Sequence, residues 1–243
     1  MNEFRVTLPT PDGPMDLHGF VPDGPPTQRR PAVMVLQEAF GVNAHIKRVC
    51  RRVASAGYAA FSPELFHRAG AGLEFGYDEF PRIKPIFGAL TNSQVLEDLR
   101  VAHGHVAKRP DVDHTRIASW GFCFGGFASV LAACELEIAA AISYYGGGLV
   151  RARPGFSLTP LVESMETIRC PMFLIYGAKD TGISPEDIAE VESRLSSLGK
   201  DYEVEIYPNG GHGFFCEDRS AYDRDSAEAS WTRATTWMAE MLS

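Results

Sequence analysis

Four short, uninterrupted apolar runs, residues 32–36, 58–61, 139–143 and 172–176, recur along the chain with amphipathic stretches between them. Strands covered on both faces read this way, because neither face has to meet water; a half-exposed strand would alternate instead. Two further segments, 116–120 and 202–207, are mixed but strand-like. Between such runs the period changes to that of a helix. Over 44–56, Ile46, Val49, Cys50 and Val53 form one stripe, and Lys47, Arg48, Arg51 and Arg52 form the opposite, wet face. A last helix over about 223–242 sets Ala227, Trp231, Ala234, Met238 and Met241 on one side. Strand and helix in alternation predict an α/β fold, a mostly parallel sheet with helices on both faces. Ahead of it, segments 3–8 and 15–20 flank the turn signal Pro11-Asp12-Gly13-Pro14 and predict a hairpin, followed by a Pro-rich loop over 22–31.

With 243 residues and no domain-sized linker or repeat, the reading is one domain over 1–243. Two stretches resist the pattern, 63–90 and 146–168, both short of clear period. Structureless connections of such length usually shape a binding site. Phe66, Phe75, Tyr77, Phe80 and Phe87 in the first either line an apolar pocket or anchor the loop to the core. A net charge of −8 argues against nucleic acid and anionic membrane as partners, since both are held through basic surfaces. No apolar run reaches the roughly 18 residues of a membrane span, and the N-terminus shows no signal-peptide core. The five cysteines, Cys50, Cys123, Cys134, Cys170 and Cys216, are odd in number and lack a CxxC pair. That is neither a disulfide framework nor a zinc site, and it predicts a reduced, cytoplasmic protein with no metal and no cofactor. His103 and His105 stand two apart on a helix and point in different directions, so they do not chelate one ion together.

The chemistry-bearing signal is Gly121-Phe122-Cys123-Phe124-Gly125-Gly126, which follows the strand 116–120 and opens a helix of small residues. A nucleophile elbow demands this arrangement. The nucleophile sits on a sharp strand-to-helix turn, and glycines two residues either side let the backbones pass. The usual serine is replaced by Cys123, whose thiolate the helix N-terminus would favour. A glycine-rich phosphate loop is the competing reading, but the pattern lacks the Lys-Ser/Thr pair and the dinucleotide spacing.

Asp180 follows the strand 172–176, and His212 follows the strand 202–207. Alone, one is a helix cap and the other a loop histidine. Together they give the order nucleophile, acid, base, beyond C-terminal strand ends where open α/β sheets place their sites. His212 would then move protons while Asp180 fixes its tautomer. Glu38 closes the strand 32–36, where an acid is costly without a partner or a task. The backbone N–H groups of Phe124 and Ala39 fall where this fold builds its oxyanion hole.

With these residues in hand, the chain resembles the dienelactone hydrolase family, a cysteine-dependent branch of the α/β-hydrolases. The likeness rests on Gln37-Glu38-Ala39-Phe40-Gly41-Val42-Asn43, Gly57-Tyr58-Ala59-Ala60, Pro63-Glu64-Leu65, the cysteine elbow, Tyr144-Tyr145-Gly146 and Gly211-His212-Gly213-Phe214. It implies a sheet of about eight strands and an ester- or lactone-cleaving hydrolase with Cys123, His212 and Asp180 as triad. It also implies a neutral Cys123 thiol resting against Glu38 until substrate releases the thiolate. Tyr145, Phe40, Phe214 and Arg82 are the expected pocket residues. Family members acting on dienelactone hold its carboxylate with arginines. Where one would stand, four residues beyond the histidine, this chain has Cys216 followed by Glu217, which leaves Arg82 and Arg68 as candidates. That points to a neutral or larger ester. Two other readings remain open: a general carboxylesterase or thioesterase, and a non-catalytic small-molecule-binding or redox-sensing module. The expected partner is a small-molecule ester or lactone, and the expected state a monomer or small homo-oligomer.

Overall fold

The computed structural model describes residues 1–25 and 28–243. Pro26 and Thr27, inside the expected loop 22–31, lie outside the described residues. β1 (Asn2–Thr10) and β2 (Gly13–Val21) form the expected hairpin, closing with Thr10 opposite Gly13, whose φ of 118° suits a residue without a side chain. The other six strands are β3 (Arg30–Leu36), β4 (Ala59–Pro63), β5 (Val112–Phe122), β6 (Ala140–Tyr144), β7 (Met172–Gly177) and β8 (Tyr202–Tyr207). Together with the hairpin they make one 8-stranded sheet in the order β1-β2-β4-β3-β5-β6-β7-β8. β2 runs antiparallel to β4, and every pairing from β4 to β8 is parallel. The apolar runs are the innermost strands: every residue of β4, β6 and β7 is buried. β8, at the edge, alternates instead, with Ile206 exposed.

The helices are α1 (Ala44–Ser55), α2 (Phe80–Ala89), α3 (Asn92–Ala107), α4 (Phe124–Glu135), α5 (Pro185–Ser197) and α6 (Arg224–Met241). α1 buries the expected stripe of Ile46, Val49, Cys50 and Val53, and Asn43 caps it by accepting from the Ile46 N–H. α4 is buried along nearly its whole length, as a helix of Gly, Ala and Val crossing the sheet must be. Trp231 of α6 stacks on Trp120 of β5, while Arg52 on the wet face of α1 lies 4.0 Å over the Trp231 ring.

Segment 63–90 departs from the expectation of an irregular loop, because it contains α2. Pro81 sits in the first turn, where its missing N–H costs nothing, and only Ile83 and Phe87 are buried along ten residues. A two-residue stripe interrupted by Pro85 is too short to register as a helical period. Segment 146–168 remains irregular apart from a single turn at Ser164–Thr167.

Candidate active site

Glu38, Ala39, Cys123, Phe124, Asp180 and His212 stand at or beyond the C-terminal ends of β3, β5, β7 and β8, and the elbow explains how. β5 ends at Phe122, and Cys123 turns the chain into α4 with φ 54° and ψ −112°, a left-handed backbone that a non-glycine residue adopts only when its surroundings enforce it. The enforcement is visible in the flanking glycines. A Cβ on Gly121 would stand 1.8 Å from the Gly125 carbonyl oxygen, and one on Gly125 would stand 2.1 Å from that of Leu36. Only glycine permits α4 to lie this close to β3 and β5.

Sγ of Cys123 thereby comes to 3.1 Å from Nε2 of His212, whose Nδ1 lies 2.7 Å from Oδ2 of Asp180. Asp180 Oδ1 accepts the Gly182 N–H at 2.7 Å, which fixes the carboxylate in the loop after β7. His212 sits in the loop after β8. Burial opposes charge on both sulfur and imidazole, but each offsets it for the other. The Cys123 thiol is held below the ordinary thiol range by His212, and His212 is raised to about 10 by Cys123 and Asp180. The pair therefore favours thiolate and imidazolium.

Glu38 is fully buried in the loop after β3. Burial pushes its carboxyl up, and the Arg219 guanidinium, whose Nη1 donates to Glu38 Oε1 at 3.2 Å, opposes that rise. The arrangement differs from the resting state that the resemblance implies: the hydrogen-bond partner of Cys123 is His212, and that of Glu38 is Arg219. Sequence reasoning did not single out Arg219, because nothing marks one arginine in a polar loop seven residues beyond His212.

Ala39, Cys123, Phe124 and His212 border one cavity. The Phe124 N–H belongs to the first turn of α4, where helix geometry leaves amides without an intrahelical acceptor. The cavity wall is aromatic, with Phe40, Phe80, Phe87, Phe127 and Phe156. Of the aromatics in segment 63–90, Phe80 and Phe87 line the pocket. Phe66 instead packs behind, on Phe87 and Phe124, at ring centroids of 5.5 and 5.4 Å. Both roles suggested by the sequence are thus filled, by different rings.

Of the expected pocket residues, Phe40 lies in the wall and three do not. Arg82 projects from α2 with its side chain 68% exposed and pairs with Glu79. Phe214 is fully buried behind the His212 loop against Tyr207, because that loop turns its apolar side to the sheet. Tyr145 is also fully buried, its ring 5.3 Å from that of His212, so it backs the histidine. Arg68 is bound to Asp98 and Asp12. Glu217 faces outward to Arg48, and Cys216 donates to the Tyr77 hydroxyl. The acid expected near the pocket is therefore turned away from it. Two guanidinium groups line the cavity instead, Arg219 and Arg153. Arg153, from segment 146–168, donates to the Gly182 carbonyl at 3.0 Å and has no carboxylate partner among the described residues.

Comparison with known proteins yields a consistent set. The model of the dienelactone hydrolase family matches residues 18–242. A protein from Synechocystis sp. named "Putative carboxymethylenebutenolidase" is 30% identical over 234 residues, covering 95% of both chains. One of the same name from Salmonella typhimurium is 35% identical, covering 86% of this chain and 77% of its own length. Among solved structures, a "Putative Dienelactone Hydrolase" from Klebsiella pneumoniae superposes with a TM-score of 0.87 at 29% identity, covering 98% of each chain. A dienelactone hydrolase-like promiscuous phosphotriesterase from metagenomic libraries shares the fold at TM-score 0.81 and 23% identity, over the full length of both chains.

Proposed function

The chain belongs to the dienelactone hydrolase family and is a hydrolase of that kind, and we propose that it cleaves its ester or lactone through Cys123, His212 and Asp180. The observation that carries this reading is the pair of contacts made by one imidazole, 3.1 Å to sulfur on one side and 2.7 Å to carboxylate on the other. In this reading the Cys123 thiolate attacks the carbonyl carbon, and the N–H groups of Phe124 and Ala39 receive the developing oxyanion. His212 gives its proton to the departing alkoxide, leaving an acyl thioester on Cys123. It then takes a proton from water, which attacks the thioester and regenerates the thiolate. Asp180 keeps the imidazole oriented throughout. Glu38, held by Arg219, is a nearby charge that opposes the thiolate which His212 favours.

The pocket favours a substrate with an apolar body lying against Phe87, Phe127 and Phe156, and an anionic group toward Arg153. This replaces the neutral ester expected from the sequence, because the acid next to Cys216 points away and Arg153 supplies the guanidinium. The whole chain acts as one α/β-hydrolase domain in this reading. Its five cysteines are free, and its charge is −8; both suit a reducing cytoplasm and a monomer or small homo-oligomer. No helix among the described residues is long and apolar enough to cross a membrane.

The decisive experiment offers carboxylate-bearing lactones and activated aryl esters to the protein and to Cys123→Ala. Turnover by the native chain, an acyl adduct on Cys123 by mass spectrometry, and no turnover by the variant are expected. Undiminished hydrolysis by Cys123→Ala would remove the proposal.

A further inference from the structure

Behind the aromatic wall lies a second group of polar side chains that the triad does not use. Glu38, from the loop after β3, His45, from the first turn of α1, and Cys216, four residues beyond His212, are all buried. Their donor atoms all lie within 4.8 Å of one another. Buried polar atoms in folded proteins almost always have partners. Here Glu38 Oε2 and both ring nitrogens of His45 have none among the described residues.

We propose that Glu38, His45 and Cys216 form a binding site for a divalent cation of the zinc class. A carboxylate, an imidazole and a thiolate are the three ligand types that zinc accepts, and a mixed oxygen, nitrogen and sulfur set disfavours magnesium or calcium. Closing on an ion would draw the donors together by about 1 Å, within the reach of side-chain rotation. The Tyr77 hydroxyl, which accepts from Cys216 Sγ at 3.1 Å, would turn to donate to the thiolate once Cys216 loses its proton, leaving the fourth position of the ion to water. The surroundings resemble those that hold metal ligands in place. Arg219 donates to Glu38 Oε1 and leaves Oε2 free, while Asn43 donates to the Tyr77 hydroxyl at 3.2 Å.

Arg219 does not forbid a cation here. On binding, Cys216 releases its proton to solvent, and its thiolate joins the Glu38 carboxylate in offsetting the ion's two charges. Glu38 is then shared between the ion and Arg219, and the cluster keeps one net positive charge. His45 borders a surface recess beside Val49 and Phe215, and Arg219 borders the substrate cavity. The donor atoms themselves are closed to solvent, so an ion would enter only as one of these walls parts. A bound ion would join the segment from Glu38 to His45 with the distant loop that carries His212 and Cys216. The site does not depend on Cys123 being the nucleophile.

Cobalt(II) titration of the metal-free, full-length protein tests this. Binding to a thiolate gives a sulfur-to-cobalt charge-transfer band in the near ultraviolet, and competing zinc should abolish it. One equivalent is expected in the native chain and in Cys123→Ser. The band should vanish in Cys216→Ser. Affinity should fall by more than the roughly 10- to 100-fold typical of outer-shell changes in His45→Phe, whose ring can keep the packing of His45 on Phe122 and Phe215. Circular dichroism identifies any variant that fails to fold. A folded native chain with no band overturns the proposal, as does a band lost in Cys123→Ser and kept in Cys216→Ser. Ester hydrolysis, assayed on the same samples, fails or survives separately.

Discussion

Arg219 Nη1 donates to Glu38 Oε1 across 3.2 Å, within the wall of the cavity that holds Cys123. The Glu38 side chain is 0% exposed and that of Arg219 is 18% exposed. Removing one partner of such a pair strands the other, which costs more than the pair contributes. Arg219→Gln should therefore lower unfolding free energy by about 3 kcal/mol in denaturant titrations. Glu38→Gln in the same chain should return most of that loss, because no buried carboxylate is then left unpaired. Equal stability of the single and double variants would show that Glu38 does not depend on Arg219.

The contact between Cys123 and His212 sets how the thiol responds to pH. Burial pushes the Cys123 pKa up and His212 pulls it down by more, so the thiolate survives to lower pH than that of a free thiol. The His212 pKa is raised to about 10, so the imidazolium is lost only as pH rises through that value. The ion pair therefore occupies the window between the lowered Cys123 pKa and about 10. A free thiol near 8.5 is about 1% thiolate at pH 6.5, and its alkylation slows about tenfold per unit below its pKa. Iodoacetamide should instead alkylate Cys123 with a midpoint below about 8.5, losing less rate between about pH 8 and pH 6.5 than a free thiol does. Asp180→Asn should restore the steep dependence, because Asp180 helps to hold the proton on His212. The other four cysteines are buried, with thiols pushed up, and should stay unlabelled in the folded chain. A profile with its midpoint near 8.5 would contradict the ion pair.

How much of this was legible in the sequence depended on whether the backbone or a side chain's reach decided the matter. The runs 139–143 and 172–176 mark β6 and β7 to within a residue, since burial on both faces writes itself as a continuous apolar string. The elbow was equally plain, because two glycines are obligatory where Gly121 and Gly125 meet neighbouring carbonyls. α2 was missed, having only Ile83 and Phe87 to bury. Arg153 and Arg219 were missed for another reason. A long side chain on an irregular loop is free to reach in many directions, and the choice is made by distant partners such as Glu38 and Gly182. The gathering of Glu38, His45 and Cys216 was hidden likewise, since Cys216 comes from a loop far along the chain from the segment that holds the other two.

Arg153 offers a test of specificity separate from that of catalysis. Its guanidinium lines the cavity and has a single hydrogen bond, to a carbonyl. An incoming carboxylate would gain charge-assisted hydrogen bonds there, worth about 1.5–3 kcal/mol each. Arg153→Met keeps much of the apolar stem and removes the charge. For carboxylate-bearing esters, kcat/KM should fall by about 10- to 100-fold, chiefly through KM. For neutral aryl esters it should change little. Equal losses on both substrate types would show that Arg153 only shapes the loop.

Two glycines separate constraint from tolerance in the same fold. Gly125 faces the Leu36 carbonyl, where a Cβ would meet oxygen at 2.1 Å, and neither backbone can yield without moving β3 against α4. Gly125→Ala should destabilise the protein by about 1–3 kcal/mol, as overpacking does. It should also abolish esterase activity, because Gly125 directly follows Phe124, and moving it shifts the Phe124 amide and the turn at Cys123. Gly104 lies inside α3, and a Cβ there meets nothing within 4 Å. Gly104→Ala should stabilise by about 0.4–1 kcal/mol, through the lower entropy of the unfolded chain. Thermal unfolding and ester hydrolysis on both variants decide the point. A Gly125→Ala chain with native melting and native turnover would show that the close approach of α4 to β3 is not what holds Cys123 in its left-handed turn.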